Sequence, residues 1–303
     1  MVSIMLFHQP FFYGNPIVDF FHLYGHWGVE VFLFVSGFGL VHSLRKNSIS
    51  RFYKNRCKRL LPACLFVGIF KYALSQIGFK YHTHDNIFLL ATNLYLWYIY
   101  AIIVYYILAP WIYKLINYGI WILINSCIIS YGSNFLSFGE SPFYLINHIG
   151  WITARLPIFI LGMYLTVYPL KVSNRAIVLI GLAFLMLCMG LQLASIMVRF
   201  QWKVPYLNLL LLPTVPMLCI FFHNLNKAAD RIKISFIINY MGKHSLEFYL
   251  WHEYIYWNVY HHHIFNHFNA SMKCILAICI ITFLVPISSF FIKRIKELQL
   301  YPI

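Results

Sequence analysis

Seven ionisable side chains interrupt apolar stretches of this chain: His8, Glu30, Lys71, Arg155, Glu247, His252 and Glu253. A charged group at the centre of a membrane helix costs about 2.5–3.5 kcal/mol on insertion scales, so each is a functional candidate. His8 stands in Ser3-Ile4-Met5-Leu6-Phe7-His8-Gln9-Pro10. Its imidazole titrates near neutrality and suits general-base work. The plainer alternative is a buried histidine hydrogen-bonded to a neighbouring helix. Glu30 shares a helical face with Leu33, Phe34 and Gly37 by their spacing of three and four. Gly37 permits a close helix approach, so that face is expected to turn toward protein. An interhelical hydrogen-bonding glutamate without chemistry is the alternative there. Arg155 either snorkels outward from a helix end or faces the same cavity as Glu30.

The densest charge cluster is Arg51-Phe52-Tyr53-Lys54-Asn55-Arg56-Cys57-Lys58-Arg59. It reads as ordinary cytoplasmic flanking that contacts anionic lipid. A sharper reading is a phosphate site, because Arg56 and Arg59 share a face and arginine grips phosphate in bidentate fashion. Ser245, Tyr249, His252, Glu253 and Tyr256 form a polar stripe on one helix, which serves catalysis or interhelical hydrogen bonding. His261-His262-His263 with His267 is assigned to a loop, since three consecutive residues on a helix do not converge on one ion. No metal is expected.

The elements that must position these groups are membrane helices. Of the 303 residues, 61% are hydrophobic and 10% charged, against about 25% charged in a soluble domain. Too little polar surface is available to cover a soluble fold of this size. The net charge of +15 does not mark a nucleic-acid binder, because the basic residues are spread over short loops. The seven cysteines show no metal-type spacing and fall mostly inside apolar runs. No cleavable signal peptide is recognised. The expected fold class is all-α: a polytopic bundle of about ten transmembrane helices, in one domain over 1–303. The spans fall near 1–13, 27–44, 60–79, 87–109, 111–131, 149–168, 175–197, 204–223, 244–262 and 271–292. The runs 45–59, 114, 171–175, 227–243 and 293–296 carry 17 of the 23 Lys and Arg, whereas the alternate loops carry Lys80, Arg199, Lys203 and Lys273. The positive-inside rule then puts both termini in the cytoplasm. The first span, at roughly 20 Å, is too short for a hydrocarbon core of about 30 Å.

With these residues in view, the chain resembles the acyltransferase-3 family of integral membrane acyltransferases. His8 after an apolar run is similar to the family's first-helix histidine. Gly28-Val29-Glu30-Val31-Phe32 with Ser36-Gly37-Phe38 is similar to its second-helix pattern. Arg56-Cys57-Lys58-Arg59 with Leu61-Pro62 resembles its R-x-x-R signature. Leu96-Trp97-Tyr98-Ile99 with Pro110, the block from Arg155 to Gly162 and the block from Ser245 to His252 resemble later family segments. The family's usual basic residue three turns before the histidine has no counterpart, since seven residues precede His8. With the short first span, this leads to the expectation of a missing N-terminal piece or of a degenerate, inactive copy. No C-terminal hydrolase-like domain is expected.

The resemblance implies transfer of an acetyl or other short acyl group from a cytoplasmic acyl-CoA, commonly acetyl-CoA, to a hydroxyl of a sugar or cell-envelope glycan. His8 is the implied base or transient acyl carrier. Glu30 is implied to hold its imidazole, Arg56 and Arg59 to bind donor phosphates, and His252 with Glu253 to line the same cavity at lower rank. No cofactor is expected to stay bound, the acyl-CoA being a co-substrate. The expected setting is a bacterial inner membrane. The competing class is an exporter of a sugar or lipid-linked oligosaccharide; the absence of inverted-repeat symmetry in the sequence counts against it.

Overall fold

The computed structural model describes residues 1–12, 14–79, 96–136, 144–169, 171, 173–197, 211–231 and 235–298. The start of the predicted fourth span (87–95), the start of the predicted eighth (204–210), and the loop charges Lys80, Arg199 and Lys203 lie outside those residues. The described elements are α1 (Val2–His8), α2 (Pro16–Tyr24), α3 (Gly28–Lys46), α4 (Ile49–Gln76), α5 (Trp97–Leu115), α6 (Trp121–Leu136), α7 (Tyr144–Val167), α8 (Asn174–Met197), α9 (Thr214–Arg231), α10 (Ser235–Lys243), α11 (Ser245–His261) and α12 (Ala270–Leu298). No strand occurs among the described residues. Among the described residues, four stretches are long and apolar enough to cross a membrane: Val18–Lys46, Trp97–Tyr118, Ile149–Val167 and Ala270–Arg294.

Several boundaries differ from the sequence expectation, each for a local reason. α1 stops at His8, not 13. Gln9 precedes Pro10 and is extended at φ −75°, ψ 133°, as the proline ring demands of its predecessor. The stretch after it, expected to be loop, forms α2. Pro16 opens that helix with its pre-set φ, and the Asn15 side chain caps it by accepting from the Val18 amide at 3.4 Å. The basic run, also expected as loop, is helical because Ser48 Oγ caps α4 from outside, accepting from the Arg51 amide. The division expected at Pro110 falls instead at Gly119. Proline is tolerated inside a membrane helix, and Gly119 has φ +67°, a value that ends a helix readily. The 227–243 loop holds the end of α9 and all of α10.

The chain forms two compact units. One contains 1–28, 53–99 and 234–303; the other contains 29–52 and 100–233. In the first, α4, α11 and α12 meet through rings. Phe66 stacks on Phe291 at 5.2 Å and Phe70 meets Trp251 edge-on at 5.6 Å. Trp251 Nε1 donates to Ser288 Oγ at 2.9 Å. α1 packs against α11 and against the turn at Gly25–Trp27. A Cβ on Gly25 would run into the Ser3 carbonyl and Phe7, so that glycine sets how closely α1 lies.

In the second unit, α3 and α7 are locked by a pair of glycines. A Cβ on Gly37 would overlap the Phe159 carbonyl, and one on Gly162 would overlap the Phe34 carbonyl. Small residues that let backbones approach are the usual means of membrane helix association. α6 and α7 form an antiparallel hairpin. Ser133 Oγ donates to Thr153 Oγ1 at 2.6 Å and Ser130 Oγ to the Ala154 carbonyl at 3.3 Å. Gly37→Ala is therefore expected to destabilise the protein by at least about 1–3 kcal/mol through overpacking. Gly39→Ala, two residues along and with nothing within 4 Å of the added Cβ, should be neutral. The melting points of the two variants in detergent check this, and equal behaviour would refute the glycine contact.

Candidate functional site

The first unit carries two groups of chemistry-bearing side chains. The inner group centres on His8 and His252. His8 closes α1, and its ring meets the His252 ring with centroids 5.1 Å apart at 69°. His252 is fully buried on α11. Its Nδ1 lies 2.8 Å from the Tyr249 carbonyl and 3.2 Å from the Phe248 carbonyl. Nδ1 must donate there, so it carries the proton and Nε2 presents a lone pair. That Nε2 is buried and has no hydrogen-bond partner among the described residues.

Around the pair stand charged groups from three further positions. Glu253 lies within electrostatic reach of both His8 and Lys71, and Lys71 within reach of Cys64 and His252. Lys71 is fully buried on α4 and sits 5.5 Å from the centre of the Tyr254 ring. His22 on α2 is the remaining neighbour in charge terms. Its Nε2 lies 2.8 Å from the Gln9 carbonyl, which ties α2 to the residue that follows His8. The placement of His8 thus depends on α2, a helix the sequence did not announce.

The outer group lines a cavity of about 810 Å³ bounded by α4, α10, α11 and α12. Arg59 and Lys58 come from α4, Lys243 from α10 and Lys293 from α12, with His244 and Glu247 beside them. Four cations face one lining carboxylate, with Lys293 also 3.9 Å from Glu297, an excess of positive charge that suits an anion. Arg59 of the sequence-predicted pair lines the cavity; Arg56, three residues earlier on α4, is half-buried. Lys58, Lys243 and Lys293 had been counted only as loop charges. Their approach depends on tertiary packing that spacing along the chain does not reveal.

The second unit holds Glu30 and Arg155. Arg155 Nε donates to Glu30 Oε1 at 2.7 Å, with both side chains essentially buried. The guanidinium also donates through Nη1 to the Trp151 carbonyl at 3.3 Å and lies 5.6 Å from the Trp151 ring centre. Glu30 Oε2 accepts no hydrogen bond among the described residues. Pairing Arg155 with Glu30 answers the choice left open for Arg155: it turns inward. Glu30 meets Arg155, and Gly37, seven residues on, meets Phe159 and Met163, so α3 and α7 run in the same direction.

Chemically, the first unit offers two adjacent imidazoles, one with a fixed tautomer, a buried lysine and a cavity rich in cations. This inventory suits group transfer from an anionic carrier to a hydroxyl. A family model described as an acyltransferase domain, of the acyltransferase-3 type, matches residues 1–294. Comparison with curated proteins and with solved structures returned no match.

Proposed function

This chain belongs to the acyltransferase-3 family, and we propose that it is an integral membrane O-acyltransferase moving an acetyl or other short acyl group from a cytoplasmic acyl-CoA to a hydroxyl of a sugar or cell-envelope glycan. One observation carries the reading. α4 is a continuous helix that bears Arg59 at the basic cavity and Lys71 beside the histidine pair. Twelve residues separate them, roughly 18 Å along a helix, a distance that an extended pantetheine arm spans. Phosphates held at Arg59 and its neighbours would let the thioester reach His8.

His8 then acts as general base toward the acceptor hydroxyl, or carries the acyl group transiently. Glu30 contributes a carboxylate whose Oε1 is held by Arg155 and whose Oε2 is left to accept a hydrogen bond. The acyl-CoA is a co-substrate that departs as free coenzyme A. The chain works as a single transmembrane domain of about ten helices, the first too short to cross by itself, with both termini on the cytoplasmic side of a bacterial inner membrane. The loop charge asymmetry supports this topology. So does the shared direction of α3 and α7, which strict alternation requires of the second and sixth spans.

The reading is tested with radiolabelled acetyl-CoA supplied to membranes that contain the protein. Label is expected in glycan, and its absence would refute the reading. Arg59→Ala is expected to raise the donor KM by about tenfold or more, a charge-assisted hydrogen bond contributing roughly 1.5–3 kcal/mol. Arg56→Ala should shift it in the same direction, and neither should change the acceptor KM. A donor KM unchanged in both variants would exclude the phosphate role.

A further inference from the structure

We infer that His252 is a positioning residue for acyl transfer: its Nε2 accepts a hydrogen bond from His8 and stabilises the charged His8 ring during the reaction. The inference rests on the acyltransferase reading and adds a residue to its machinery. Three observations carry it. The donation from Nδ1 to the Tyr249 carbonyl at 2.8 Å fixes the tautomer and makes Nε2 an acceptor only. Nε2 is fully buried and has no partner among the described residues, a state that costs free energy unless a donor is supplied at some stage. A donor beside it is His8, whose ring stands edge-on at a centroid distance of 5.1 Å. The torsion that orients a histidine ring is broad and soft, so a rotation of His8 brings a ring nitrogen to Nε2.

The chemistry supplies the moment of need. As the acceptor oxygen bonds to the acyl carbon, its O–H bond breaks and the proton passes to His8. The C–S bond breaks with its electron pair on sulfur, and the thiolate recovers the proton from His8 as a free thiol. While His8 holds that proton, both its nitrogens are donors. One faces the reacting atoms and the other requires an acceptor, which His252 provides. The charged groups around the pair are Glu253 on α11, Lys71 on α4 and His22 on α2.

The test uses full-length protein in membranes, radiolabelled acetyl-CoA and the glycans of those membranes. His252→Ala is expected to lower labelling by about a hundredfold, the scale of one acid–base contribution. Added imidazole, or the acceptor amide of His252→Gln, should restore roughly tenfold of that loss. His252→Leu, which refills the volume without an acceptor, should restore nothing, and that contrast separates the proposed role from a structural one. The inference is overturned if His252→Ala labels within about twofold of wild type, or if neither imidazole nor glutamine restores any activity. A wild-type protein that is folded and transfers no label overturns the acyltransferase reading itself, and this inference with it. Labelling by wild type with an unaffected His252→Ala overturns the inference alone.

Discussion

Replacing His8 by alanine is expected to lower acyl transfer from acetyl-CoA by about 10²–10⁴-fold, the range for loss of a positioned general acid–base group. The protein should still accumulate in the membrane. His8 is only half-buried, at the last position of a seven-residue helix. α1 is anchored by other residues: buried Ile4 and Met5, the Ser3 hydroxyl that donates to the Gly25 carbonyl at 2.8 Å, and the His22–Gln9 contact. The ring itself packs against Phe7 and His252; its removal loses those two contacts and leaves the anchors of α1 in place. The measurement pairs label incorporation with the amount of protein in the membrane. A variant that labels as well as wild type would sink the mechanism. A variant missing from the membrane would show that His8 stabilises the fold. His8→Gln, which keeps a polar side chain without a titrating base, should be as inactive as the alanine variant.

Helix identity along the chain was legible because membrane helices are written in composition, and composition survives without tertiary detail. Their ends were less so. Gln9-Pro10, Ser48 and Gly119 set boundaries through local backbone rules, and in each case a hydropathy window outweighed the rule. α2 and α10 escaped notice for a related reason: nine-residue helices are too short to register as spans.

For the site, the face of α3 was readable in advance. Glu30 with Gly37 implied a close protein neighbour, and α7 is that neighbour. Arg155 could be suspected as the partner because buried charges require one. The pairing of His8 with His252 was not readable. The residues lie 244 positions apart, and nothing in their spacing ranks His252 above the other polar residues of α11. Its distinguishing feature, an Nδ1 committed to a backbone carbonyl with Nε2 left over, exists only once α11 is folded and packed. The basic cavity escaped for the same reason, as its cations come from three helices.

The Glu30–Arg155 pair separates a structural from a catalytic carboxylate. Removing one partner of a buried ion pair leaves the other charge uncompensated and costs about 3–5 kcal/mol. Arg155→Met and Glu30→Gln should therefore each lower the melting point in detergent. Both side chains are essentially unexposed, so solvent screening does not soften the loss. The double variant Glu30→Gln/Arg155→Met removes both charges together. It should be more stable than the sum of the single losses predicts, with a coupling of about 0.5–3 kcal/mol expected for residues in direct contact. Activity per folded molecule is then decisive. If Glu30 supplies a carboxylate to the transfer, the double variant regains stability while labelling stays low, because glutamine at position 30 carries no charge. If Glu30 only anchors α3 to α7, labelling per folded molecule returns to the wild-type level with the recovered fold. The Oε2 atom favours the first outcome: an anchor needs only the oxygen that meets Arg155, whereas this carboxylate keeps a second acceptor buried with no partner among the described residues. Restored labelling in the double variant would remove Glu30 from the catalytic set and leave His8 with the imidazole partner inferred from its own unit.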